Sequence, residues 1–185
     1  MRAGRSVGLL GGDLTDPSSG AGVREAFDRV GEVAALVDVV CGFQAGTMAT
    51  TLAQAYPQSF ATKLDSVWWS RHEAVSRLSR RQDGALVNGA SSAALNGGAG
   101  SAAHTVSKAA AVRLTEVLAG ELAPHRVRVN AVLPAVLDIR PNRVGTGKSP
   151  PRTVPPDGIA KVIAVLDSAD GWPISGAAAP VYGWA

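Results

Sequence analysis

The stretch GALVNGASSAALNGGAGSAAHTVSKAAAVRLTEVLAGELAPHRVRVNAVLP, residues 84–134, decides how this chain folds. Asp83-Gly84 marks a turn into its opening residues, which read as a strand. Ser91 and Ser92 end that strand, and the Gly/Ala-rich run behind them reads as a loop. An Ala-rich helical segment follows, carrying His104 and Lys108 four residues apart and therefore on one helix face. The helix stops near Pro124, and HRVRVNAVLP alternates as a strand does. Strand, loop, helix and strand in that order form a βαβ unit, whose two strands lie parallel.

The same alternation extends in both directions. SVGLL (6–10) reads as a strand, and Asp16-Pro17 offers a helix N-cap with proline at the first helical position. GAGVREAFDRV is a helix ending at Gly31, and AALVDVV (34–40) is a second buried strand. The polar segment CGFQAGTMATTLAQAYPQ (41–58) is long enough for a functional or interface role. Helical periodicity covers 59–81, with Leu64, Val67, Trp68, Val75 and Leu78 as its buried stripe. Of the adjacent Trp68 and Trp69, one must face away from that stripe. After residue 134 come a proline-rich loop (Pro141, Pro150, Pro151, Pro155, Pro156), the helix IAKVIAVLDS and a short strand in AAAPVYG. No repeat or boundary divides the chain, so a single α/β domain over 1–185 is expected, with a mainly parallel sheet flanked by helices.

Composition narrows the function classes. With 46% hydrophobic residues and a mean hydropathy of +0.11, the chain is that of a soluble globular domain. No apolar run has membrane-spanning length, and the apolar part of MRAGRSVGLLGG is short for a secretory signal, so a cytoplasmic location is expected. Cys41 is the sole cysteine, which excludes an intrachain disulfide. The net charge of +3 comes from scattered arginines, and no aromatics interleave with the cluster Arg77, Arg80 and Arg81. That cluster reads as a solvated helix end, and neither nucleic acid nor a membrane is an expected partner. His72, His104 and His125 lie at no metal-ligand spacing, so no metal site is expected. Ser91 lacks the G-x-S-x-G surround of a hydrolase nucleophile.

From about Gly11 onward, the chain resembles the short-chain dehydrogenase/reductase family. The resemblance is carried by DLTD (13–16), ALVDVVCGF (35–43), Ser91 with His104 and Lys108, VNAVLPAVLDIRPNR (129–143) and ISGAAAPVYG (174–183). VCGF and LPAVLDIRPNR are similar to a subgroup that includes quinonoid dihydropteridine reductases. The resemblance implies a Rossmann-like, doubly wound fold and NAD(P) as cofactor. It implies that Asp13, with Leu14, contacts the adenine, that Val40, Cys41 and Gly42 line the cofactor's path, and that Pro134 and Leu137 receive the nicotinamide. Ser91 would polarise a substrate carbonyl, Lys108 would hold the ribose, His104 stands at the proton-donating Tyr, and Lys63 stands at a helix Asn of the proton relay. A small-molecule substrate and a homo-oligomer are implied as partners.

Five departures accompany the resemblance. No TGxxxGxG loop precedes DLTD, so the first Gly-rich βαβ unit is expected to be lacking, or to lie upstream in a longer reductase of which this is a piece. His104 replaces Tyr, and Lys63 replaces Asn. Asp38, Val39, Val40 and Cys41 replace Asn-Asn-Ala-Gly, and Ile139 replaces a nicotinamide-binding Thr. Lys108 disfavours protonation of a neighbouring imidazole, and a neutral imidazole is a poor acid. The strand at 7–10 is expected to pair with 36–40, or that edge to be covered by another chain. Two functions follow: an NAD(P)-dependent oxidoreductase of impaired activity, acting on a carbonyl, alcohol or imine, or a catalytically inactive pseudoenzyme serving as a binding or oligomer-forming subunit.

Overall fold

The computed structural model describes residues 8, 11, 13–15, 20–146 and 153–183. Helix α1 (Gly20–Val30) leads to strand β1 (Ala35–Asp38), then to α2 (Ala55–Phe60), a π-helical turn (Ala61–Asp65) and α3 (Ser66–Arg81). Strand β2 (Gly84–Gly89) is followed by the long α4 (Ala102–Leu122) and β3 (Val127–Pro134). Short β4 (Val136–Leu137), α5 (Arg140–Thr146) and β5 (Thr153–Val154) precede α6 (Pro156–Asp167) and β6 (Ala178–Val181). The main sheet has the order β1-β2-β3-β6, and each of its pairings is parallel. The expected strand over 6–10, its pairing with 36–40, and the Asp16-Pro17 helix start lie outside the described residues.

Alternation along the central strands builds a core on each side of the sheet. Leu86, Val127 and Val129 pack with Phe27 of α1, Leu78 of α3 and Leu118 and Leu122 of α4. Val87 and Val132 point the other way and pack with Ile159 and Leu166 of α6. Helices thus cover both faces, which is the doubly wound α/β arrangement. Arg128 closes the C-terminal end of α6. Its guanidinium donates to the carbonyls of Leu166, Asp167, Ser168 and Gly171, the last three at 3.2, 3.1 and 3.1 Å. Among the described residues no helix is long and apolar enough to cross a membrane.

Three expectations need correction. The helix expected from Ser59 begins at Ala55, and its second turn is wound as a π-helix. Trp68 does not belong to the buried stripe: it is 50% exposed, and the buried face carries Ser66, Val67, Ser70, Arg71, Ala74 and Leu78. Hydrophobicity alone misassigned it, because burial also depends on which residues find partners across the interface. The arginine cluster is not wholly solvated either. Arg77 pairs with Asp28 at 2.6 Å and lies over the Phe27 ring, which fastens α3 to α1, and Arg81 pairs with Glu32 of the following connection at 3.0 Å.

Candidate active site

The C-terminal ends of β1 and β2 meet the first two turns of α4, the place where a parallel α/β sheet opens toward a ligand. Lys108 anchors this junction. Its side chain is 1% exposed, and Nζ donates to the Gly89 carbonyl at 2.6 Å and to the Val40 carbonyl at 3.4 Å. One ammonium therefore ties α4 to the ends of both strands. Burial holds its pKa below the ordinary lysine value, with Cys41 and Asp38 acting in the opposite direction.

His104 sits one turn earlier on the same face, as the four-residue spacing predicts. It is 6% exposed, the Phe43 ring stands edge-on to it at 5.2 Å, and its Nδ1 has no hydrogen-bond partner. Burial, followed by the Lys63 and Lys108 ammonium groups, pushes its pKa down to about 4, against the smaller effect of the Gly42 backbone. At neutral pH the imidazole is therefore uncharged.

Lys63 arrives from the π-helical turn, a kind of distortion that often marks a functional position. It is 3% exposed, and its Nζ donates to Ser59 Oγ at 2.9 Å. Burial lowers its pKa and Lys108 lowers it further, with Cys41 opposing. Ser91 lies two residues beyond Gly89, half-buried in extended backbone, and its Oγ accepts the Ala93 N–H at 3.3 Å. That bond caps a short 3-10 turn and leaves the hydroxyl proton available to a ligand.

The remaining sequence candidates divide. Val40, Cys41 and Gly42 continue β1 along the same rim, and space is open above Gly42, where an added Cβ would meet only Thr62 Cγ2 at 4.0 Å. Pro134 ends β3, where it is buried and paired with Val181, and Leu137 in β4 packs against the α6-side core. Asp13 accepts from the Thr15 backbone and hydroxyl at 2.8 and 2.7 Å, which holds its carboxyl below the usual range. Ile139 spends its backbone N–H on the Leu137 carbonyl.

Beneath the rim lies a polar network that the sequence reading missed. Arg71, 1% exposed, donates to Asn88 Oδ1 through Nε at 2.8 Å and a terminal nitrogen at 2.5 Å, and to the Val87 carbonyl at 3.0 Å. Asn88 in turn donates to Thr115 Oγ1 at 2.8 Å, which joins α3, β2 and α4. Burial brings the Arg71 pKa down to about 10, with Asp38 acting against it, and one guanidinium nitrogen has no partner. Asp38 accepts the Val40 N–H at 2.9 Å and the Ser70 hydroxyl at 3.4 Å. The available signal was Arg71 lying four residues after Val67 and seven before Leu78, on an apolar stripe.

The loop 41–54 walls the site on its open side, pinned where Gly46 donates to the Gly100 carbonyl at 2.8 Å. It encloses a cleft of about 280 Å³ between Gly42, Phe43 and Gln44 on one side and Gln58, Ser59, Thr62 and Lys63 on the other. A second hollow of about 220 Å³ shares Gln44 and Ser59 and reaches Thr51 and Ala103.

A family model described as short chain dehydrogenase matches residues 2–144. An inactive 2-(S)-hydroxypropyl-CoM dehydrogenase of Xanthobacter autotrophicus is 30% identical over 131 residues, covering 69% of this chain and 56% of that protein. The chain spans about half the length of the curated relatives it matches, 46–56% for the first three. Among solved structures, an acetoin dehydrogenase from Enterobacter cloacae superposes with a TM-score of 0.84 at 23% identity, covering 92% of this chain and 71% of that one. ElxO with NADP bound gives a TM-score of 0.84 at 21% identity, with 91% and 74% covered. These two superpositions establish the shared fold.

Proposed function

Given that the chain belongs to the short-chain dehydrogenase family, we propose that it acts as an NAD(P)-linked oxidoreductase whose proton-transfer step is impaired. Its substrate is a small carbonyl compound, alcohol or imine. The observation that carries this reading is the convergence of Lys108, His104, Lys63 and Ser91 at the C-terminal ends of β1 and β2. Lys108 would hold the ribose hydroxyls, with Val40, Cys41 and Gly42 beneath the cofactor and Pro134 and Leu137 at its nicotinamide end. Asp13 and Leu14 would meet the adenine. The open space over Gly42 and the unpartnered His104 Nδ1 fit such an occupant. When bound, the dinucleotide supplies or accepts the hydride. Relatives with this fold include one bound to NADP, which supports the assignment by analogy.

The chain's own residues define what is impaired. Ser91 can donate a hydrogen bond to a carbonyl oxygen, and Lys108 adds positive potential next to it. At neutral pH the uncharged His104 is a poor acid, and with a pKa near 4 it is equally a weak base for the reverse direction. Lys63 donates to Ser59. Slow turnover is the consequence.

The test is a calorimetric titration of the whole chain with NADH and with NADPH, repeated on Lys108→Ala. Micromolar binding that weakens at least tenfold in the variant supports the reading. No heat at millimolar dinucleotide would remove the hydride source and sink it.

A second reading, a catalytically inactive pseudoenzyme acting as a binding or oligomer-forming subunit, draws on the uncharged His104 and on exposed apolar side chains. Trp68 on α3 is 50% exposed, and Val106 and Val117 on α4 are 53% and 48% exposed. Sedimentation at tens of micromolar decides it: a homo-oligomer dispersed by Trp68→Ser supports the reading, and a clean monomer opposes it.

A further inference from the structure

The buried charges of this domain do not balance. Among the described residues, those buried and formally charged are Lys63, Arg71 and Lys108 against the single carboxylate of Asp38. Neither Lys63 nor Lys108 has a carboxylate within ion-pair distance; their hydrogen bonds go to a hydroxyl and to two backbone carbonyls. Asp38 spends its oxygens on Val40 N–H and Ser70. Removing an ammonium from water without an anionic partner is costly, and a bound anion beside it would offset that cost. Lys63 is the cation that reaches open space: it lines the cleft of about 280 Å³ together with Ser59, Thr62, Gln44 and Gln58. An ammonium carries three donors, and only one of those on Lys63 is engaged.

We propose that this cleft is a binding site for a small carboxylate, with Lys63 as the residue that selects the charge. The hydroxyls of Ser59 and Thr62 and the side-chain amides of Gln44 and Gln58 supply neutral donors around it. The walls suit a compact, singly charged, planar group: Lys63 is a point charge, and the lining has no guanidinium fork of the kind that grips a phosphate. Phe43 belongs to the cleft wall and stands edge-on to His104, which lies behind that wall. A compact carboxylic acid matches the size of this cleft and its single cationic wall residue. Calling that acid the substrate rests on the oxidoreductase reading above; its binding does not, since no cofactor is needed.

The experiment is ligand-observed NMR on the whole chain without dinucleotide, comparing acetate, pyruvate and benzoate with acetamide, pyruvamide and benzamide. At low ionic strength, at least one acid is expected to bind tenfold or more tightly than its amide, with the preference falling as salt is raised. Lys63→Gln should bring the ratio to about one, and Lys63→Arg should retain most of it. If every acid binds no better than its amide in the wild type, the proposal is wrong whether or not the variants fold. It is equally wrong if the preference survives in a Lys63→Gln protein whose melting curve matches the wild type. A negative dinucleotide titration beside a positive acid preference would remove the oxidoreductase reading and leave this site standing.

Discussion

His104 offers a quantitative handle on the whole cluster, because its proton binding must differ between the folded and unfolded chain. An imidazole in the unfolded chain titrates near 6.5, whereas in the native site it is pushed down to about 4. Between those values the unfolded state binds more protons, so stability falls as pH is lowered from 6.5 toward 4 and is unaffected above that window. At pH 4.5, the ratio of protonated plus neutral to neutral forms is larger for the unfolded group by a factor on the order of 100, roughly 2–3 kcal/mol. Allowing for the solvent in the cleft next to the site, the expected loss is about 2 kcal/mol. Urea unfolding of wild type and His104→Gln at pH 7.5, 6.5, 5.5 and 4.5 measures it. Carboxylates such as Glu73 and Asp138 titrate in both proteins and cancel in the difference. The difference between the two proteins should be constant above pH 6.5 and shift by about 2 kcal/mol in the variant's favour by pH 4.5. A flat difference curve, or an NMR titration placing His104 above pH 6, would refute the argument that burial and two ammonium groups keep this ring neutral.

Two further outcomes test the frame beneath the site. Asn88→Ala strips the buried Arg71 of its side-chain acceptor and should cost about 3 kcal/mol or more, whereas the Asn88→Leu, Arg71→Met double change should cost clearly less than its two single changes combined; additivity in a double-mutant cycle would contradict the network. Gly89→Ala would place a Cβ 2.8 Å from the Asp38 carbonyl oxygen and 3.3 Å from Val39 Cα, backbone atoms with nowhere to go. It should lower stability by about 1–3 kcal/mol in chemical denaturation, and an unchanged midpoint would mean β1 is not held as closely as described.

Residues 84–134 read correctly from sequence because each element there announces itself locally. The run ending at Gly89 is buried on both faces, the following helix needs only its own periodicity, and His104 and Lys108 share a face by helical geometry alone. The same logic failed at Trp68, where an apolar residue was taken to be buried, and at Arg71, where a charged one was not considered.

What the sequence determined by itself is therefore the succession of strands and helices over 20–134, the parallel sheet and the placing of Ser91, His104 and Lys108 near one end of it. These follow from side-chain periods of two and 3.6 residues, which are properties of the local backbone. Helix α5 and strand β5, by contrast, fall in the segment read as a loop. Only the tertiary structure decided which charges are buried and what faces them. The π-helical turn carries Lys63 inward to Ser59, Asn88 from a distant strand accepts from Arg71, and both ammonium groups lie near enough to His104 to lower its pKa. A buried charge is costly unless a partner or a shifted pKa offsets it, and no local pattern records whether a partner arrives from elsewhere in the chain.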